Sequence, residues 1–207
     1  MKLLITFLML LSNLTFSQIN FDQYFEDKTL RLDYYHTGNS SEDIYSIDEL
    51  IEEPYWGGSK VNLLDKFDYG KYKFVVKDFD SGKEIYSRTY ATLFSEWQTT
   101  DEANQTTKSF SETIVFPYPK NPVTVEFYSR DKKNILHKKF EYVVNPNSYF
   151  IKTERTLEYN NFKVLNSNDP DNAVDIVIIP DGYRIDEMGK FKKDCEKFAG
   201  YLFNASP

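Results

Sequence analysis

Few residues of this sequence have the side chains that metal or acid–base catalysis requires. Histidine occurs only at His36 and His137, and neither lies in a His-Glu-x-x-His sequence, in which two imidazoles on one helix bind zinc. Each histidine lies at the end of a predicted strand, so we expect both to be surface residues. No catalytic residue and no metal-binding residue is therefore assigned in this chain.

The single cysteine, Cys195, has the side chain of a potential nucleophile. It lies on a series of apolar residues at alternating steps of three and four, which predicts one apolar face of a helix over about residues 186–203. We therefore expect a buried and unreactive thiol. The sequence contains no Gly-x-Ser-x-Gly and no Cys-x-x-Cys motif. The residues of the predicted apolar face are Met188, Phe191, Cys195, Phe198 and Leu202.

Asp181 and Tyr183 are the remaining candidate site residues. They follow an apolar run, residues 174–179, that predicts a strand buried on both faces, and they precede the predicted helix. Open α/β sheets bind ligands at such junctions, so the two residues form a possible ligand-proximal turn. The alternative is structural, with Asp181 accepting hydrogen bonds from turn amides and Tyr183 packing. Both interpretations stay open here.

The region before residue 147 contains short segments that alternate polar and apolar residues, a pattern typical of half-buried strands. Turn residues separate these segments, and no convincing long helix precedes residue 185. The pattern predicts a small antiparallel β-sandwich. The predicted strands are residues 29–36, 72–78, 84–90, 111–116, 123–128 and 135–144.

Three segments of the same region are less regular. Residues 18–28 are predicted to be a poorly ordered leader, and residues 44–51 fit either a strand or a helical turn. Residues 94–105 are polar and predict a loop. Pro117 is expected to end the strand before it, because proline cannot donate to a ladder.

The N-terminus has the features of a secretory signal. A lysine at position 2, an apolar run over residues 3–11 and small residues near Ser17 predict a signal peptide over residues 1–17, cut between Ser17 and Gln18. The protein is then exported to the periplasm or the outside. An uncleaved anchor is the alternative, but the run is shorter than the roughly twenty residues that span a bilayer. We therefore expect no stable membrane anchor.

The formal net charge of −7 limits the possible partners. Removal of Lys2 with the signal would leave 24 basic against 32 acidic residues, a net charge of −8. An acidic surface repels phosphate groups, so nucleic acid is not expected as a partner.

Two stretches carry a family resemblance. Residues 93–119 include Glu-Trp-Gln-Thr-Thr-Asp-Glu-Ala, and residues 169–183 include Asn-Ala-Val-Asp-Ile-Val-Ile and Asp-Gly-Tyr. Together they resemble the bacterial IgA-specific metallopeptidase family. The first stretch resembles its N-terminal β-sandwich domain, and the second resembles the start of its zinc peptidase domain.

The resemblance implies a domain order and a cofactor. After the signal, residues 18–147 would form the sandwich, residues 148–165 a connector, and residues 166–207 the strand, turn and helix that start an α/β peptidase domain. In the family, a His-Glu-x-x-His helix further along the chain binds zinc, and the glutamate acts as general base. Zinc is thus implied for the complete family domain and no cofactor for this chain.

The leading hypothesis is an exported, N-terminal part of an IgA-peptidase-like zinc metallopeptidase. It would lack the catalytic region, be inactive alone, and carry an accessory or substrate-presenting sandwich for a protein substrate. The alternative is a free-standing β-sandwich module that binds protein or glycan without catalysis. The coding sequence after Pro207 distinguishes the two, since only the first hypothesis expects His-Glu-x-x-His there.

Overall fold

A computed structural model describes residues 19–154, 159–165, 174 and 176–205. The chain divides into two compact units, residues 1–155 and 156–207. Among the described residues, no helix combines the length and the apolar character that crossing a bilayer requires. The predicted signal peptide and its cleavage site, Ser17 and Gln18, lie outside the described residues.

The first unit is mainly β-structure, with its strands arranged in two four-stranded sheets. One sheet has the order β5-β1-β2-β8, and the other has the order β4-β3-β6-β7. All pairings are antiparallel except that of β2 with β8. Its elements in chain order are α1 (Phe21–Tyr24), β1 (Phe25–Gly38), β2 (Asp43–Glu53), β3 (Tyr72–Asp78), β4 (Glu84–Tyr90), α2 (Leu93–Trp97), a 3-10 helix (Glu102–Asn104), β5 (Lys108–Pro119), β6 (Val123–Arg130), β7 (Leu136–Val144) and β8 (Ile151–Thr153).

The core lies between the two sheets. On β1, the buried side chains of Leu30, Leu32 and Tyr34 alternate with more exposed ones, as the period of a strand requires. The ring of Tyr34 meets that of Phe127 on β6 at a centroid distance of 5.1 Å, which joins the two sheets. Burial of each such side chain stabilises the fold by about 1.5–3 kcal/mol.

The predicted β-sandwich is confirmed, and both predicted hairpins form at β3–β4 and β6–β7. The ambiguous residues 44–51 belong to strand β2. The prediction of a poorly ordered leader over residues 18–28 is wrong for its described part. Phe21 and Phe25 are buried there, so the two phenylalanines anchor α1 and the start of β1 on the core.

Strand β5 continues through the prolines that were expected to end it. Pro117 lies opposite Thr29 and Pro119 lies opposite Phe25 on β1. The prediction of a strand end at Pro117 is wrong because β5 is the outermost strand of its sheet. One side of an edge strand has no ladder to complete, so a missing N–H is tolerated there.

The second unit contains the predicted helix. A 3-10 turn, Ile185–Glu187, leads into α3, Met188–Asn204. Phe191, Cys195 and Ala199 are buried on α3, whereas Phe198 and Leu202 of the predicted apolar face are exposed.

The strand predicted over residues 174–179 is not found. None of its described residues is in a strand, and Val174, Ile176, Val177 and Ile179 are exposed. An apolar run becomes a buried strand only when neighbouring strands complete its ladder. Among the described residues of this unit, no such neighbour occurs.

Candidate functional site

The turn that contains Asp181 and Tyr183 is tied to the helix that follows it. The backbone N–H of Asp181 donates to the carbonyl of Ile179 at 3.1 Å, and Asp181 itself is exposed. The Tyr183 hydroxyl donates to the Asp194 carboxylate at 3.0 Å, and its ring contacts Phe191 at a centroid distance of 5.1 Å. These contacts give Tyr183 a structural role, and a ligand-binding role for the turn stays a prediction.

His36 is completely buried, so the prediction that it is a surface residue is wrong. It occupies the next inward position of β1 after Leu30, Leu32 and Tyr34. Its imidazole lies between the rings of Tyr45 and Phe94, at centroid distances of 4.2 and 3.9 Å, with both pairs stacked. Stacked rings on both faces fix the orientation of the imidazole.

Charged side chains from three other strands surround His36. Its Nδ1 lies 3.1 Å from Oε2 of Glu112 on β5, and its Nε2 lies 3.9 Å from Oδ2 of Asp43 on β2. Nζ of Lys139 on β7 is 2.7 Å from the other oxygen of Asp43. The hydroxyl of Tyr34 donates to Glu112 at 2.7 Å. We call His36, Asp43, Glu112 and Lys139 the charge cluster.

Contacts within the charge cluster favour the ionised forms of His36, Asp43 and Glu112. Burial opposes protonation of His36, but the carboxylates of Asp43 and Glu112 outweigh it and raise the pKa of His36 above its ordinary value. Burial likewise favours the neutral carboxyls, yet their contacts with His36 lower the pKa of both Asp43 and Glu112. When His36 is protonated, its contacts with the two carboxylates and the contact of Lys139 with Asp43 therefore pair groups of opposite charge.

The charge cluster does not fit zinc, the metal that the family resemblance implies for the complete peptidase. Zinc needs three or four ligand atoms around one point at about 2 Å. The two ring nitrogens of His36 instead face different carboxylates on opposite sides of the ring. Within the described part of the chain, no three Asp, Glu, His or Cys side chains are arranged to hold a metal ion.

A short helical segment, residues 93–105, packs on His36 and is called the cap. The sequence pattern predicted a loop here, and the structure instead forms α2 and a 3-10 helix. Phe94, Trp97 and Ala103 are buried and pack with Tyr72 in a second, smaller core. The cap contains the whole Glu-Trp-Gln-Thr-Thr-Asp-Glu-Ala stretch, so this stretch has a structural function.

Hydrogen bonds attach the cap to the turn between β1 and β2. The Gln98 amide donates to the carbonyl of Asn39 at 2.9 Å, and the Ser40 N–H donates to the carbonyl of Ala103 at 3.0 Å. Within the cap, the Trp97 indole N–H donates to Glu102 at 2.8 Å. The cap is therefore a fixed part of the sandwich.

A polar groove of about 460 Å³ lies where the cap meets the β1–β2 turn. Its walls offer amide and hydroxyl groups and carry no charged side chain. Such groups bind ligands through neutral hydrogen bonds, as an extended peptide backbone requires. The groove is lined by Asn39, Ser40, Ser41, Ala103, Asn104, Gln105, Thr106 and Thr107.

Comparison with known proteins assigns the first unit to a family. A sequence model described as "Peptidase M64 N-terminus" matches residues 20–141, which is more than half of the chain. The chain belongs to the peptidase M64 N-terminal family. This agrees with the resemblance to the IgA-specific metallopeptidases. A comparison with curated proteins finds no match.

The M64 N-terminal match includes every residue of the charge cluster, the cap and the groove. It begins at Asn20, just before α1, and ends at Glu141 within β7. These features therefore lie within the residues that the family model matches, whereas Asp181 and Tyr183 lie outside the match.

The predicted locations of the other two candidate residues, exposed for His137 and buried for Cys195, are confirmed. His137 is exposed and lies 2.9 Å from the carboxylate of Asp131. Cys195 is buried on α3. Sequence reasoning missed the charge cluster, although one signal was present: His36 has the same strand parity as the inward residues Leu30 and Leu32.

Proposed function

We propose that this chain is the exported N-terminal part of an IgA-peptidase-like zinc metallopeptidase, and that its sandwich holds a protein substrate for catalysis elsewhere. The polar groove is the observation on which the proposal rests. All residues that line the groove lie within the M64 N-terminal family match, and most of them are exposed, so a ligand can reach them.

The groove suits an extended polypeptide because both sides of it are hydrogen-bonding and uncharged. Asn104, Gln105 and Thr107 are exposed on one side, and Ser40 and Ser41 come from the β1–β2 turn on the other. Peptide N–H and C=O groups need both donors and acceptors, which amides and hydroxyls supply. Neutral walls also permit binding to substrates of varied sequence.

The proposal assigns binding rather than proton transfer to the sandwich because its one buried histidine is enclosed. His36 is stacked between Tyr45 and Phe94, and its two nitrogens face the carboxylates of Glu112 and Asp43. A general base must come within hydrogen-bonding reach of the proton that it removes. With no exposed surface, His36 does not meet that requirement.

The groove is tested with amino-acid substitutions that do not change the net charge of the chain. The purified chain is titrated with reduced, alkylated lysozyme, an unfolded basic protein, and binding is measured by interferometry. Asn104→Ala combined with Thr107→Ala removes two exposed hydrogen-bonding groups, so we expect affinity to fall at least about fivefold. The lysozyme is expected to be recovered uncut.

The matched control is Asn147→Ala combined with Thr153→Ala, which removes the same chemical groups from exposed positions that do not line the groove. Its affinity should equal that of the unchanged chain. Equal binding by the groove variant and the unchanged chain would reject the groove as the substrate site. Cleavage of the lysozyme by this chain would reject the accessory role.

A further inference from the structure

The loop between β2 and β3, residues 54–71, displays two neighbouring aromatic rings to solvent. Phe67 is 74% exposed and Tyr69 is 86% exposed. Their ring centroids are 6.0 Å apart and their planes differ by 28°. Most of the surface of each side chain is therefore open to solvent. Apolar side chains are normally stabilised by burial, so a pair of exposed rings on a turn that is held in place is a candidate interaction site.

The carboxylate of Asp65 fixes the first half of this turn. It accepts hydrogen bonds from the N–H groups of Phe67 at 2.9 Å and Asp68 at 3.1 Å. It also accepts from the N–H of Thr89 on β4 at 2.7 Å and from the Thr89 hydroxyl at 2.6 Å. The turn is thereby attached to the sheet, and the two rings are held in place before any ligand binds.

Arg130 of β6 fixes the second half of the turn. Its guanidinium donates to the carbonyl of Asp68 at 2.8 Å and to the carbonyl of Gly70 at 3.0 Å. Asp68 has a φ of 54°, a conformation that non-glycine residues adopt only when the surroundings hold them there. A Cβ at Gly70 would lie 2.3 Å from the backbone nitrogen of Tyr90, so the backbone approaches β4 closely.

The size of the ring pair limits its ligand. An ordinary protein interface buries about 800 Å² on each partner. An aromatic side chain contributes roughly 150–250 Å², so the pair provides about half of that area. An anionic membrane surface is disfavoured by the net charge of −7. The pair instead matches a small, flat and neutral ligand.

A sugar ring has the chemistry that this pair accepts. The face of an aromatic ring is electron-rich, and the C–H groups on one face of a pyranose carry partial positive charge. The side chain of Asp68, between the two rings in sequence, is 44% exposed. Its oxygens form ion pairs with Lys73 at 3.5 Å and Arg130 at 3.4 Å, and a carboxylate has further acceptor sites for sugar hydroxyls. We propose that Phe67 and Tyr69 form a binding platform for a neutral, β-linked glycan chain.

The glycan platform does not depend on the proposed function of the groove. No residue of the loop lines the groove, and the two sites take different ligands. A failure of glycan binding at the platform can therefore be distinguished from a failure of polypeptide binding at the groove.

The platform is tested by calorimetric titration of the purified chain with two neutral probes, the β-1,4-linked hexamers of glucose and of N-acetylglucosamine. We expect the unchanged chain to bind at least one of them. Phe67→Ala combined with Tyr69→Ala should weaken that binding at least about tenfold, because both stacking faces are removed. Tyr69→Phe keeps the ring and should retain affinity within about twofold.

The chain offers a matched control in a second exposed aromatic pair. Tyr149 and Phe150 are 85% and 70% exposed, with ring centroids 4.0 Å apart. Tyr149→Ala combined with Phe150→Ala should leave glycan affinity unchanged. The proposal is overturned if neither hexamer binds, if the Phe67 and Tyr69 double variant binds as well as the unchanged chain, or if the control variant loses binding.

Discussion

Burial opposes protonation of His36, yet the carboxylates of Asp43 and Glu112 raise its pKa above its ordinary value. Glu112 and Asp43 face its two nitrogens, and Lys139 balances Asp43 from outside. Removal of one partner from such a group leaves a buried charge without compensation. The stability of the sandwich is therefore coupled to the protonation of a single histidine.

The free energy of unfolding should fall at high pH because of His36 and at low pH because of Asp43 and Glu112. Its pKa is raised in the folded chain, so its contribution is fully present below about pH 6.5 and is lost as the pH rises through the folded pKa. Asp43 and Glu112 have lowered pKa values, so their contribution is lost as the pH falls below about 4.5. Urea unfolding at a series of pH values should show maximal stability between these limits.

Two histidine variants test whether His36 causes the loss of stability at high pH. His36→Gln should lower the free energy of unfolding by about 3–5 kcal/mol and flatten the dependence above pH 6.5. His137→Gln changes an exposed histidine and should preserve the dependence. A slope that survives His36→Gln would assign the titration to another group.

The position of His36 was only partly predictable from sequence. Strand parity with Leu30 and Leu32 favours the interior, whereas the residue type favours the surface. The charged groups that make burial of a histidine favourable here belong to Asp43 and Glu112 on other strands. Strand pairing brings these two residues close to His36, and the sequence around His36 contains no information about that pairing.

At the scale of elements, the cap depends on Trp97. Trp97→Ala removes ring contacts with Phe94 and Phe110 and the hydrogen bond to Glu102, so we expect a loss of about 3–5 kcal/mol. Hydrogen exchange should accelerate at the amides of Gln98 and Thr99, which close the last turn of α2.

Phe79→Ala provides the comparison for the Trp97 variant. Phe79 lies in the β3–β4 turn and is 53% exposed, so its truncation should change stability by less than about 0.5 kcal/mol. Unaltered exchange at Gln98 and Thr99 in Trp97→Ala would show that other contacts hold the cap.

The strands were predictable and the cap was not, for one physical reason. Strands β3 and β6 have an alternation that local sequence records, because one face of each sheet is buried. Helix α2 has only five residues, too few to show a helical period or to be stable alone. Its helical form comes from packing Phe94 and Trp97 on the end of the sandwich.

At the scale of the whole molecule, the two units should differ in resistance to proteolysis. The first unit has a closed core, whereas Val174, Ile176, Val177 and Ile179 of the second unit are exposed outside regular structure. Brief trypsin or chymotrypsin digestion should leave a fragment that ends near residue 154, because β8 pairs with β2. Mass spectrometry of the fragment provides the measurement.

Sequence reasoning failed on residues 174–179 because burial there requires neighbours. The apolar run satisfies the pattern of a buried strand, yet a ladder needs a second backbone beside it. A pattern predicts what a segment forms when partners are available, and it carries no information about their presence. If residues 176–187 resisted protease cleavage as strongly as strand β3 does, the second unit would have a stable fold of its own.

The two prolines of β5 affect how copies of this protein associate with one another. Fibrils and unwanted dimers of β-proteins start when the outer strand of one copy recruits a strand of another. Pro117 and Pro119 remove two N–H groups from that outer strand, and a recruited backbone would find no donor at either position. The β5 edge therefore lacks two of the N–H donors that a strand of another copy would need for pairing. A high protein concentration should not make this edge a nucleation site for fibrils.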